Sequence, residues 1–155
     1  MPATTTTAHY RRPGWFTRQV FNRAVAWLTR RGVSVWGSRI LEVPGRRTGE
    51  PRRVPVNLLT VDGIEYLVSP RGEGQWVRNV RANDGRLDLV LGRHRTRRIA
   101  RELPDADKVD VLRPYLHRWK FEVGQFFDGV DAGSSDEELL ARAPMHPVFR
   151  LDPTG

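Results

Sequence analysis

Two strand-like runs, Arg53–Val61 and Ile64–Ser69, are separated only by Asp62-Gly63, and that spacing limits the fold more than any other feature of the chain. A two-residue Asp-Gly connection favours an antiparallel hairpin, because both residues tolerate the positive φ of a tight turn. Further strand-like runs surround it, at about Arg39–Val43, Arg86–Leu91, Thr96–Leu103 and Pro147–Leu151. Leu87, Leu89 and Leu91 alternate, as residues on one face of a strand do. Gly74 to Asn83, carrying Trp76, Asn79 and Val80, reads as one short helix inside the meander. Longer helices fit Trp15 to Arg31, where Gly32 ends the run, and Asp105 to about Lys120, with Asp105 as N-cap. Ser135–Arg142 reads as a short acidic helix. A strand meander with few helices predicts an antiparallel, barrel-like α+β domain. Residues 1–14 read as a flexible N-terminal tail and 15–155 as a single domain without internal repeats.

The 155 residues suffice for a hydrophobic core without covalent staples. The chain has no cysteine, which excludes disulfides, thiolate metal sites and cysteine nucleophiles. Its four histidines, His9, His94, His117 and His146, show no pair at ligand spacing, so no metal site is expected. No apolar run is long enough to span a bilayer, and the N-terminus lacks a signal-peptide core, so the expected location is the cytoplasm.

Charge narrows the partners. The net charge is +8 and the pI about 11.0. Residues 1–101 hold 20 basic and 7 acidic groups, a balance of +13; residues 102–155 hold 6 and 11, a balance of −5. The positive half contains Gly45-Arg46-Arg47-Thr48-Gly49-Glu50-Pro51-Arg52-Arg53, four arginines with a hydroxyl and two glycines beside a strand. Guanidinium forks match phosphate and carboxylate oxygens, and glycine lets backbone N–H groups approach them. The loop therefore suits a polyanion: nucleic acid, membrane headgroups or a phosphorylated cofactor. The aromatics accompany apolar neighbours rather than interleave with basic stretches, which argues against a specific nucleic-acid partner.

The loop, followed by Pro55, the Asp62-Gly63 hairpin, Ser69, a Gly-rich turn and Trp76-x-x-Asn79, resembles the deazaflavin (F420)-dependent nitroreductase family over roughly residues 15–152. The resemblance implies an antiparallel split β-barrel of the FMN-binding-like kind, with flanking helices that include an N-terminal one. It implies coenzyme F420 as cofactor, with FMN as the alternative. The implied activity is an F420H2-dependent oxidoreductase, giving hydride to a quinone, enone or nitro compound. By this likeness Arg46, Arg47, Thr48 and Gly49, joined by Arg52 or Arg53, grip the phosphate and glutamate tail. Val54, Pro55 and Val56 lie along the ring. Ser69, Arg71 and Gly72 form a loop near ring and phosphate, and Trp76 and Asn79 a pair beside the cofactor. F420 carries a phosphodiester and several carboxylates, which an arginine-dense loop suits.

On the substrate side, better-known members carry tyrosines where this chain has Asn57-Leu58-Leu59 and the segment after Tyr115. Asn57, Trp119, Phe126 and Phe127 are the expected pocket residues, although an aromatic cluster of this kind also makes ordinary core. His117, Tyr115 and Ser69 are the candidate proton donors, since hydride transfer needs a matching proton. Two alternatives stand beside an enzyme: a non-catalytic F420 carrier and a nucleic-acid-binding module. The arginine-flanked aromatics of Trp15–Arg31 fit either a helix packed on the barrel or a peripheral membrane contact. Monomer and homodimer are both open. His94 and the Arg93–Arg101 run read as a charged sheet edge, and His146 receives no role.

Overall fold

The computed structural model describes residues 38–127 and 129–154; Trp15–Arg31, with its helix and membrane expectations, lies outside them. Among the described residues six strands form the sheet: β1 (Ser38–Pro44), β2 (Pro51–Val61), β3 (Ile64–Val68), β4 (Arg86–Leu91), β5 (His94–Glu102) and β6 (Val148–Pro153). All neighbours are antiparallel and the sheet closes on itself in the order β1-β2-β3-β6-β5-β4. Among the described residues three α-helices flank it: α1 (Gln75–Ala82), α2 (Val109–Val123) and α3 (Asp136–Arg142). None in the described residues is long and apolar enough to cross a membrane.

Asp62 and Gly63 both take positive φ (51° and 79°), the turn their sequence predicts, and Val61 pairs with Ile64 across it. Period-two alternation then sorts the strands into two cores. Leu41, Val43, Leu58, Leu67, Leu87, Leu89, Ala100, Phe149 and Leu151 fill the barrel, with Val77 and Val80 of α1 added to them. The alternate residues Leu59, Val68 and Val148 face out, where α2 covers them with Val111, Leu112, Tyr115, Leu116 and Trp119. Each large aliphatic side chain so buried contributes about 1.5–3 kcal/mol of transfer free energy. At Gly85 (φ +80°) a Cβ would meet the Ala100 carbonyl oxygen at 2.3 Å. That position thus needs glycine twice over, for conformation and for space.

Two expectations change. Closure places β5 between β4 and β6, but β6 joins only from Arg98, so the edge reading holds for His94–Arg97 and fails for Arg98–Arg101. Arg95, Arg97, Arg98 and Arg101 reach carboxylates on other strands of the barrel. Asp105 does not cap the long helix. It opens a 3₁₀ turn (Asp105–Asp107), and its carboxylate meets the buried Lys108 Nζ at 2.8 Å. Lys108 Nζ also donates to the Ala143 carbonyl (3.0 Å), tying the start of α2 to the turn after α3. The short helix α3 has the capping box its sequence allows: Ser135 Oγ accepts from Glu138 N–H, and Glu138 accepts from Ser135 N–H.

Candidate anion and cofactor site

The arginine loop spans the turn between β1 and β2, closed at its base by the Pro44–Pro51 pair. Gly45 N–H donates to Glu50 O (2.7 Å) and Gly49 N–H to Gly45 O (2.8 Å), so the loop is a tight self-bonded turn. Gly49 takes φ +77°, which a residue with a side chain adopts at a cost. Thr48 Oγ1 accepts from Glu50 N–H at 3.2 Å, a local use of the hydroxyl. One long-range contact then aims the loop. The Arg46 backbone N–H (3.1 Å) and its Nη1 (2.9 Å) both donate to Oδ1 of Asn79, a buried residue of α1. Three residues earlier, Trp76 packs against Phe149 with ring centroids 5.7 Å apart. The Trp-x-x-Asn spacing thus gives one residue to the packing at the barrel end and the other to the loop.

Several arginines of the barrel wall are engaged with acids. Arg53, Glu42, Asp88 and Arg97 sit in one cross-strand row over β2, β1, β4 and β5. Arg53 donates to Glu42 at 2.6 Å, Arg97 to Asp88 at 3.0 Å, and Arg95 bridges both acids. Two adjacent carboxylates would repel; the arginines reverse that. The Arg95 hydrogen bond chiefly holds the Glu42 carboxyl below its ordinary range, with burial opposing and Arg53 assisting. For Asp88, burial pushes upward most strongly, yet Arg97 and Arg95 together outweigh it and the carboxyl also ends low. Arg81 is held by Glu102 and Glu73, Arg98 by Glu65, and Arg101 and Arg150 by Asp152.

The loop differs. Among the described residues Arg46, Arg47 and Arg52 make no ion pair, and Arg47 and Arg52 are exposed. Arg52 lies over Gly45, where an added Cβ would meet its Nε at 3.2 Å. Of the four loop arginines only Arg53 is neutralised, by Glu42. Sequence alone did not separate these sets, because the separation is made by strand register.

On β2, Val54 and Val56 pack against the inner core, while Pro55 and Asn57 point to the opposite face beside Ile40 and Ser38. The Ser69–Gly74 turn is heavily bonded. Ser69 N–H donates to Pro147 O (2.9 Å), Ser69 Oγ to Gly72 O (2.6 Å), Gly72 N–H to Ser69 O (3.3 Å) and Gly74 N–H to Gly72 O (2.8 Å). Arg71 lies over the Phe126 ring, 5.7 Å from its centroid. Tyr115, Trp119, Phe126 and Phe127 are buried in the outer core, with Tyr115 5.2 Å from Trp119 and 6.2 Å from Phe127 between centroids. His117 is exposed on α2.

The residue that sequence reasoning passed over is His146. It is fully buried, stacks on Phe127 at 3.8 Å, and meets both Ser69 and Arg142. Its flanking prolines hint at a fixed turn, but nothing local points to Ser69, 77 positions earlier.

A sequence profile described as F420H(2)-dependent quinone reductase matches residues 15–123. No curated protein matches the chain. Among solved structures, an F420-H2 dependent reductase (FDR-A) shares 20% identity over 75% of this chain and 94% of its own, at a TM-score of 0.50. A protein described as a domain-swapped dimer shares 20% identity over 88% and 97%, at 0.52. The protein Atu2129 from Agrobacterium tumefaciens shares 15% over 94% and 60%, at 0.57. At these identities the likeness is one of fold.

Proposed function

This chain belongs to the F420H(2)-dependent quinone reductase family, F420-using oxidoreductases, and from that premise we propose that it delivers hydride to an electrophilic small molecule, a quinone, an enone or a nitro compound. The observation that carries the site is the sorting of arginines. Among the described residues Arg46, Arg47 and Arg52 have no acidic partner, and they sit on a loop whose backbone is already fixed. That donor set fits a phosphodiester and a string of carboxylates, with Arg71 a further cation on the Ser69–Gly74 turn. Reduced deazaflavin, when bound, supplies the hydride from its C5 carbon. The protein's part is binding, orientation and exclusion of water.

Asn79 restrains Arg46 from two sides, so the loop needs little reordering to receive an anion. Arg53 acts on the wall rather than on the ligand. Pro55 and Asn57 offer the outer face of β2 to the ring, and Val54 and Val56 hold that strand from inside. Of the three donor candidates, Tyr115 is buried among aromatics and the Ser69 hydroxyl proton lies on the Gly72 carbonyl. His117 is exposed, and it or bulk water protonates the product. Trp119, Phe126 and Phe127 shape the acceptor side as its buried backing.

Titrating the protein with F420 and with FMN, followed by fluorescence, tests this. Micromolar F420 binding that disappears in Arg46→Ala/Arg47→Ala is expected; no F420 binding by the parent would sink it. Oxidation of F420H2 by a quinone, an enone and a nitro compound then ranks the acceptors.

A further inference from the structure

We infer that His146 is a positioning residue: a buried, neutral imidazole, protonated on Nδ1, that fixes the Ser69–Gly74 turn from the far end of the chain. The tautomer follows from its neighbours. Arg142 Nε faces Nε2 at 3.1 Å. An arginine Nε always carries a hydrogen, so Nε2 must be the acceptor. The single proton of the neutral ring then sits on Nδ1, which donates to the Ser69 carbonyl at 3.3 Å. A second ring proton would set two N–H groups against each other beside a permanent cation.

The contact completes a lock. Ser69 already donates through N–H to Pro147 O and through Oγ to Gly72 O, and its carbonyl also receives Gly72 N–H. His146 adds the side-chain donor that joins this turn to the C-terminal segment. Arg142 is braced in turn, since its Nη2 donates to Phe126 O at 2.9 Å. The Phe127 ring stacks on the imidazole with only 19° between planes, which fixes the ring's rotation. Lys108 secures the segment that carries His146 by donating to Ala143 O, three residues before it. The function assigned to this lock rests on the proposed reading that the Ser69–Gly74 turn borders the cofactor.

Three variants separate the donor from the packing. His146→Asn puts an amide N–H near the place of Nδ1–H; His146→Gln puts one near Nε2; His146→Ala removes both. All three lose the stack on Phe127, so all should lose thermal stability. Only His146→Asn should keep slow hydrogen exchange at Gly72 and Gly74. It should also keep F420 affinity within about threefold of the parent, against a loss of about tenfold in the other two, the effect of one buried hydrogen bond. Nitrogen-15 shifts of the parent's imidazole at neutral pH should show the Nδ1–H tautomer. An Nε2–H tautomer or an imidazolium would overturn the inference, as would equal exchange and equal F420 affinity in all three variants. A parent that binds no F420 would remove the proposed function instead; the tautomer and exchange measurements would still decide whether His146 sets the turn.

Discussion

Replacing Asn79 by alanine should cost the protein its anion grip more than its fold. Asn79 Oδ1 accepts two hydrogen bonds from Arg46, one from the backbone N–H at 3.1 Å and one from Nη1 at 2.9 Å. A neutral hydrogen bond contributes about 0.5–1.5 kcal/mol and one to a charged donor about 1.5–3. Both contacts are only part-buried, which places the pair at the low end, about 1–3 kcal/mol. If that energy serves to hold the loop in its binding form, its loss appears in affinity at about 1.4 kcal/mol per tenfold. F420 binding should then weaken roughly five- to a hundredfold. Val77 and Val80, which anchor α1 in the barrel, are untouched, so far-UV circular dichroism should not change. Asn79→Asp provides the control, because it keeps the acceptor geometry and adds a negative charge beside Arg46. Loop order should survive, while F420 affinity falls and depends less steeply on salt. Fluorescence titration of both variants at two salt concentrations gives the answer. An Asn79→Ala protein that binds F420 as tightly as the parent would refute the claim that α1 aims the loop.

Gly85→Ala should destabilise the fold by about 3 kcal/mol, combining left-handed backbone strain with the Ala100 clash, and thermal melting measures it. Ser135→Ala should cost about 1 kcal/mol by removing the cap of α3, read by urea unfolding. The Glu42 and Asp88 carboxyls are held low in the folded protein, so their contribution is present above their unfolded pKa values and is lost as pH falls through the folded ones. Stability should therefore drop on the acid side of the ordinary carboxylate range. Arg95→Gln should lower stability at neutral pH and flatten that acid limb, whereas an unchanged pH profile would contradict the role given to Arg95. Arg53→Ala should reduce stability with little change in F420 affinity, the reverse of Arg47→Ala, as isothermal titration beside a melting curve would reveal.

Local signals carried much of the architecture. The Asp62-Gly63 pair and the Leu87–Leu89 alternation are short-range patterns, and they placed the hairpin and the fourth strand because turn sterics and pleat periodicity act over a few residues. The start of α2 was misplaced because Asp105 has the chemistry of a cap while its carboxylate is drawn to Lys108. Only the second half of the charged run on β5 departs from an edge, because the register that brings β6 against Arg98–Glu102 is set by barrel closure.

What the sequence determined by itself was therefore the kind of fold and the presence of an arginine loop matching a known cofactor family. Both are written in residue type and close spacing. Only the tertiary structure decided which arginines meet an acid. Register across β2, β1, β4 and β5 engages Arg53, Arg95 and Arg97 with Glu42 and Asp88, and among the described residues leaves Arg47 and Arg52 without acids. It also decided that Asn79 faces Arg46 and that His146 meets Ser69, contacts 33 and 77 residues apart. Such pairings depend on how the closed barrel stacks distant segments, and no local pattern records them.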